Sequence, residues 1–241
     1  MEKKMPVLAI VGAGPGLGLA IGKIFGKRGF KVALISRSRE KLEGLVRQLA
    51  SEKIEAAAFG ANVLDRLSLG VALGEVKGRF GSIDVLEFSP VDRSLPLVHP
   101  SEVTPANAQA MIDVYVHGAI SAVQAVLPDM LQQGSGTMLF TTGASSVFPS
   151  PGFGDVGLGN YGPAAAWLRN YAHALHAELA PHGVQVGHVA IGVFLAKEPG
   201  HVPPDDLAPA YWDLHTRRGD VERVFTLNRN THGAAATANY G

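Results

Sequence analysis

The chain has no cysteine among its 241 residues, which excludes disulfides, thiolate metal sites and cysteine nucleophiles. It also lacks an excess of either charge, with 21 Lys and Arg against 21 Asp and Glu. Without a net field to attract polyanions, nucleic acids and anionic membrane surfaces are poor partner classes. No run reads as a membrane span of about 20 apolar residues. Residues 1–4 and the apolar run after them faintly imitate a secretory leader, but glycines 12, 14 and 16 break that run, which is needed as a strand. These absences leave the expectation of a soluble, cytoplasmic protein.

What the chain does have is apolar material, 46% of its residues, enough for one large α/β domain. Strand-like runs alternate with helix-like segments almost to the end. Strands are expected near 7–10, 31–36, 55–59, 83–88, 136–141, 185–191 and 223–226. Helices are expected from 17, then near 38–52, 67–80, 106–132 (bent at Gly118 and Pro128) and 163–180. This alternation predicts a Rossmann-like, doubly wound parallel sheet of about seven strands with helices on both faces. Residues 1–227 form the single domain in this reading. Residues 228–241, rich in Asn, Ala, Thr and Gly, read as a mobile tail or one ordered by a neighbouring subunit.

The strongest local signal is Gly12-Ala13-Gly14-Pro15-Gly16-Leu17-Gly18, set between the first strand and the first helix. Glycines let a backbone take positive φ and let a phosphate approach without meeting a Cβ. The helix N-terminus behind them offers free N–H groups and a positive dipole end.

Several registered positions together resemble the short-chain dehydrogenase/reductase family. Gly12, Gly16 and Gly18 match its glycine turn, Asp84-Val85-Leu86 precedes the place of its Asn-Asn-Ala-Gly segment, and Tyr161 opens the helix that carries its catalytic tyrosine. Tyr211-Trp212-x-Leu214-His215 resembles the C-terminal segment of a less characterised subgroup. The resemblance implies a dinucleotide cofactor held by Gly12, Gly14, Gly16, Leu17, Gly18, Asn62, Val63 and Ser89. Ser36-Arg37 stands where NAD-preferring members place an Asp, and an arginine there suits a 2′-phosphate, so NADP(H) is favoured over NAD(H). It further implies a homodimer or homotetramer assembled through the helices near 106–132 and 163–180.

At the chemical end the chain departs from the family pattern. The family's tyrosine is Tyr161, but its lysine is Ala165, its serine falls on Gly143 or Ala144, and its asparagine is Tyr115. The Asn-Asn-Ala-Gly segment has become Phe88-Ser89-Pro90-Val91. Without the lysine, a tyrosine with a reference pKa of about 10 stays protonated at neutral pH and suits reduction better than oxidation. The expected activity is reduction of the carbonyl of a small apolar substrate, with Tyr161 as proton donor and Ser145 and Lys197 as candidate helpers. The pocket is expected from Phe88, Tyr115, Ala144, Tyr161 and Phe194. The loop at 149–159, about four residues longer than the family's, is a candidate to carry Asp155 or the serines inward or else a surface elaboration.

The alternative is a fold that has lost hydride transfer and serves as a binding or regulatory protein, or as a non-redox enzyme using Tyr161, His99 or His117. His173 and His176 have a spacing that can hold a metal, but no third ligand accompanies them, so no metal is expected.

Overall fold

The computed structural model describes residues 5–150, 152–153, 155–196, 198, 200–227 and 235–238. The first half alternates strictly: β1 (Val7–Val11), α1 (Leu17–Gly26), β2 (Lys31–Ser36), α2 (Arg39–Ser51), β3 (Ala56–Gly60), α3 (Arg66–Phe80) and β4 (Val85–Phe88). After it come α4 (Pro105–Ile112), a π-helical turn (Asp113–His117), α5 (Gly118–Gln133) and β5 (Gly136–Gly143). A two-stranded hairpin, β6 (Gly152–Phe153) and β7 (Val156–Gly157), precedes α6 (Tyr161–Leu179) and β8 (Val184–Gly192). The described chain closes with α7 (Pro204–Thr216), β9 (Glu222–Leu227) and β10 (Ala235–Ala238).

The main sheet runs β10-β9-β8-β5-β4-β1-β2-β3, parallel except for β10, which pairs antiparallel with β9. Seven parallel strands thus match the expected number. Helix α7, the hairpin and β10 are additions to the expected elements; β10 falls within residues 228–241, whose remaining members lie outside the described residues.

Along β1 the side chains alternate between two cores. Val7, Ala9 and Val11 join the layer under α3, α5 and α6, while Leu8 and Ile10 join that under α1, α2 and α7. A strand covered on both faces has no polar side, which is why it reads as an unbroken apolar run. Helix starts are set locally: Asp65 accepts from the N–H of Leu67 and Ser68 at 3.1 Å each, and Thr104 and Asn107 cap α4 reciprocally.

The run Pro105–Gln133, at mean hydropathy 1.4, is long and apolar enough by length and composition to cross a membrane. That corrects the reading that no run reaches this threshold. Its apolarity has a structural use, because Met111, Val114, Ala119, Ala122 and Val126 are buried in the core under α3 and the sheet. Near Gly118 the winding changes to a π-helical turn, whereas α5 continues through Pro128 without the expected interruption.

Because the chain leaves β1 toward β2 on one side and returns to β4 on the other, the order reverses between β1 and β4. The loops leaving the C-terminal ends of these two strands therefore diverge, opening a crevice where such sheets bind ligands.

Candidate active site

The glycine turn after β1 forms the floor of the crevice. Gly12 has φ of +96°, and a Cβ there would lie 2.6 Å from the backbone of Pro90, which follows β4. Only glycine lets the two loops approach this closely. Gly14, by contrast, has no protein atom within 4 Å of a would-be Cβ, so the space above it is open to a ligand. Helix α1 begins at Leu17 with no side chain capping Gly16, leaving its first turn to be completed by something in the cleft.

Two adjoining clefts of about 600 and 470 Å³ share Gly12, Gly14, Pro15, Ser89, Pro90, Val91 and Arg93. The first reaches Ser36, Arg37, Lys41 and Val63; the second passes Leu17 and Gly18 to Tyr115, Thr142, Gly143 and Tyr161. These volumes lie within the range of small-molecule sites. The open space at Gly14 and the uncapped helix fit a dinucleotide pyrophosphate, and the glycines, Leu17, Ser36, Arg37, Val63 and Ser89 line the two clefts. Asn62 does not reach the cleft wall: its Oδ1 accepts from the Leu64 N–H at 3.2 Å, which fixes the turn before α3.

Arg37 is engaged within the protein. Its Nη1 lies 2.9 Å from Oδ2 of Asp92, a carboxylate whose side chain is only 5% exposed. Burial pushes that carboxyl up, but hydrogen bonds from Ser94 and the Arg37 charge outweigh it and leave the pKa below its ordinary value.

At the other end, Tyr161 at the start of α6 accepts a hydrogen bond from the Gly143 N–H at 2.5 Å. A Cβ on Gly143 would sit 3.0 Å from the phenol oxygen, so the missing side chain at this position admits the tyrosine. Among the described residues no acceptor takes the Tyr161 O–H, which leaves its proton for a ligand. Burial raises the pKa of Tyr161, with only the Gly143 hydrogen bond opposing, so the phenol is protonated at neutral pH. Tyr115, carried by the π-helical turn, packs edge-on against it with ring centroids 5.1 Å apart. Ala165, one turn along α6, is fully buried and brings no charge.

Beyond the two tyrosines lies an apolar pocket of about 330 Å³ walled by Leu95, Leu97, Met111, Val114 and Leu158, with Arg93 at its edge. The long loop before α6 supplies Leu158 to this wall rather than a serine or Asp155. Gly157 and Gly159 lie directly on the backbone of residues 98–100, and buried Asn160 ties the segment to α4 through Pro96, Val98 and Asn107.

Several expected site residues stand elsewhere. Phe88 is fully buried and packs toward Phe140 in the core, because it points to the α5 face of β4. Ala144 packs on Gly192, and Phe194 is 61% exposed beside His201. The Ser145 hydroxyl is buried without a partner, away from the cleft lining. Lys197 lies outside the described residues. His99 takes part in the cap of a short 3₁₀ turn and His117 pairs with Asp113 at 2.9 Å, neither lining a cleft. His176 faces the Val186 carbonyl, while His173, read as having no carboxylate beside it, meets Glu222 at 3.1 Å; no group of three that could hold a metal ion occurs among the described residues.

Two polar clusters meet at the end of β5 that sequence reasoning missed. On the α6 side, Thr142 contacts His188 Nε2 at 2.8 Å, His188 Nδ1 faces Glu222 at 3.0 Å, and Arg169 grips Glu222 with two nitrogens. On the α7 side, Glu87 is bonded to Ser89 and Thr141, and Thr141 to Tyr211. A charged residue inside the apolar run 85–88 was the available signal for the second cluster. The first joins residues far apart in sequence and left no local signature.

The strand order and the crevice at its switch point define a Rossmann-like fold. A family model described as short chain dehydrogenase matches residues 6–201. The chain belongs to the short-chain dehydrogenase/reductase family of oxidoreductases. It is 30% identical over 196 residues to the 3-oxoacyl-[acyl-carrier-protein] reductase FabG of Staphylococcus aureus, covering 80% of this chain and 76% of that one. The FabG of Staphylococcus epidermidis is 28% identical over 200 residues, covering 82% and 78%. Among solved structures, a 3-ketoacyl-(acyl-carrier-protein) reductase from Brucella melitensis complexed with NADH has a TM-score of 0.75 at 23% identity, covering 88% of this chain and 90% of that one. A short-chain dehydrogenase from Streptomyces avermitilis has a TM-score of 0.76 at 22% identity, covering 93% and 89%.

Proposed function

We propose that the chain is an NADP(H)-dependent reductase of a small apolar carbonyl compound, with Tyr161 as the proton donor. The observation that carries this reading is the Tyr161 phenol, buried and unspent as a donor, between the glycine-floored cleft and the apolar pocket. Reduced dinucleotide supplies the hydride to the carbonyl carbon when bound. The carbonyl oxygen takes the Tyr161 proton, and the Gly143 N–H remains to stabilise the phenolate left behind. With Ala165 in place of a cation, that phenolate is costly at neutral pH. The same balance disfavours alcohol oxidation, which needs the phenolate as base.

Arg37 and Lys41 beside Ser36 favour a 2′-phosphate, and Asp92 is the group such a phosphate would displace from Arg37. Assembly as a homodimer or homotetramer is supported by the outward face of α6, where Trp167 and Tyr171 stack at 4.8 Å and Trp167 is 37% exposed. A cytoplasmic setting is the corresponding expectation.

The test is titration with NADPH and NADH by fluorescence and thermal shift, followed by a carbonyl screen. Stronger stabilisation by NADPH, and reduction abolished in Tyr161→Phe, is the expected result. The buried Ala165 favours one second reading, a protein that binds the nucleotide without turning it over. Saturable NADPH binding by the wild-type protein with no carbonyl reduced would select it.

A further inference from the structure

Glu87 is the one carboxylate buried completely among the described residues. It lies on the central strand β4, level with Ile10 of β1 and Leu139 of β5, so neither neighbouring strand offers it a charge. From helix α7, Tyr211 reaches it through Thr141, and His215 of the same helix bonds instead to Thr137. Along the cleft beyond Ser89, Arg37 and Asp92 are paired with each other, and Arg93 lines the rim. Burial pushes the Glu87 carboxyl up to about 8, with hydrogen bonds from Ser89 and Thr141 pulling the other way.

Donor counting gives this acid a role. Ser89 Oγ lies 2.8 Å from Glu87 Oε2, and Thr141 Oγ1 lies 2.9 Å from Oε1. When Glu87 is ionised, both hydroxyl hydrogens are committed to it, and Thr141 accepts from Tyr211 at 2.8 Å. When Glu87 is neutral, its own proton needs an acceptor. Tyr211 is fully buried with Thr141 as its one hydrogen-bond partner among the described residues, so it spends its hydrogen on Thr141, the Thr141 hydrogen stays on Oε1, and the acid proton goes to Ser89 Oγ. That frees the Ser89 hydrogen, and Ser89 lines both parts of the cleft.

We propose that Glu87 and Ser89 form a proton-linked binding site for the acceptor oxygens of a nucleotide in the cleft. With Glu87 protonated, Ser89 donates to a ribose or phosphate oxygen. With Glu87 ionised, Ser89 turns its lone pairs to the cleft and a negative charge stands behind it. This inference rests on the reading that the cleft holds a dinucleotide.

The experiment is calorimetric titration of the whole protein with NADPH from about pH 6.5 to about pH 9.5, where one linked proton gives at most a tenfold change in Kd per pH unit. The wild-type Kd should rise toward that limit above about pH 8. Glu87→Gln is isosteric, and its amide can donate to Ser89 while accepting from Thr141, so its Kd should stay tight and flat across the range. Ser89→Ala should bind more weakly and with a shallower slope than wild type, because the donor is gone while the Glu87 charge still forms. At about pH 8.5, NADPH should also draw protons from weakly buffered solution and strengthen the protonated-carboxyl infrared band, and neither signal should appear in Glu87→Gln. Equal slopes in wild type and Glu87→Gln, or a flat wild-type profile, overturn the proposal and leave the cofactor reading standing. Failure of NADPH and NADH to bind at any pH overturns both.

Discussion

Arg37 spans the mouth of the cleft to Asp92, with its Nη1 2.9 Å from the carboxylate. The arginine expected to hold a 2′-phosphate is thus held by an internal anion that the phosphate must replace. Asp92→Asn removes the competitor's charge, and its NADPH affinity should rise about three- to tenfold while NADH affinity changes little. Arg37→Ala should bring the two affinities together. Parallel calorimetric titrations check this, and an equal effect of Asp92→Asn on both cofactors would show that Arg37 does not meet the phosphate.

Gly12 and Gly14 separate folding from binding within one turn. A methyl at Gly12 meets the Pro90 backbone at 2.6 Å in a positive-φ position, whereas one at Gly14 meets no protein atom within 4 Å. Gly12→Ala should cost about 2 kcal/mol or more of stability. Gly14→Ala should leave urea unfolding within about 0.5 kcal/mol of wild type yet weaken NADPH binding at least about tenfold. Loss of stability in Gly14→Ala without loss of binding would remove the pyrophosphate from this turn.

The sheet was legible in the sequence because its central parallel strands are buried on both faces and helices separate the strands along the chain. The glycine floor was legible because its requirements are local. Phe88 was misplaced because two adjacent residues of a strand face opposite layers, and a one-residue choice of face sends a ring to the core or to the cleft. Glu87, Tyr211, His188 and Glu222 meet only through pairings across 34 or more residues, which no motif spacing encodes. The apolar pocket wall was half legible: the long loop was noticed, but its contribution, Leu158 held down by Asn160, depends on contact with residues 96–98.

Gly143 leaves room for the Tyr161 phenol and supplies its only hydrogen bond among the described residues. Gly143→Ala keeps the N–H but presses a methyl to 3.0 Å from the oxygen. Reduction should fall about tenfold to a hundredfold with NADPH affinity unchanged, whereas Tyr161→Phe should lose about a hundredfold to ten-thousandfold. Steady-state kinetics beside cofactor titrations measure the split. Full activity in Tyr161→Phe would move the proton donor elsewhere.

Three groups make the fold sensitive to acid, and their signs agree. Burial, followed by the Arg218 charge, lowers His215 to about 4, and burial lowers His188. Each imidazole is folded in its neutral form, so its contribution is complete above the unfolded value of about 6.5 and fades as pH falls through that value toward the folded one. Burial pushes Glu222 up, but hydrogen bonds from His188, Arg169 and His173 outweigh it and hold it well below the carboxylate range. Its contribution is present above the unfolded value of 4.5 and is lost as pH falls below it. For His215 the shift from 6.5 to about 4 corresponds to about 3 kcal/mol, which partial exposure of the ring reduces to about 2. Urea unfolding at about pH 7.5 and about pH 4.5 should therefore show a loss of several kcal/mol in wild type. His215→Phe keeps a ring among Phe25, Phe30 and Trp212 but cannot take a proton. It forfeits the bond to Thr137 at neutral pH, yet should lose about 1–2 kcal/mol less than wild type on acidification. Equal losses in the two proteins would mean that His215 is not the group that titrates.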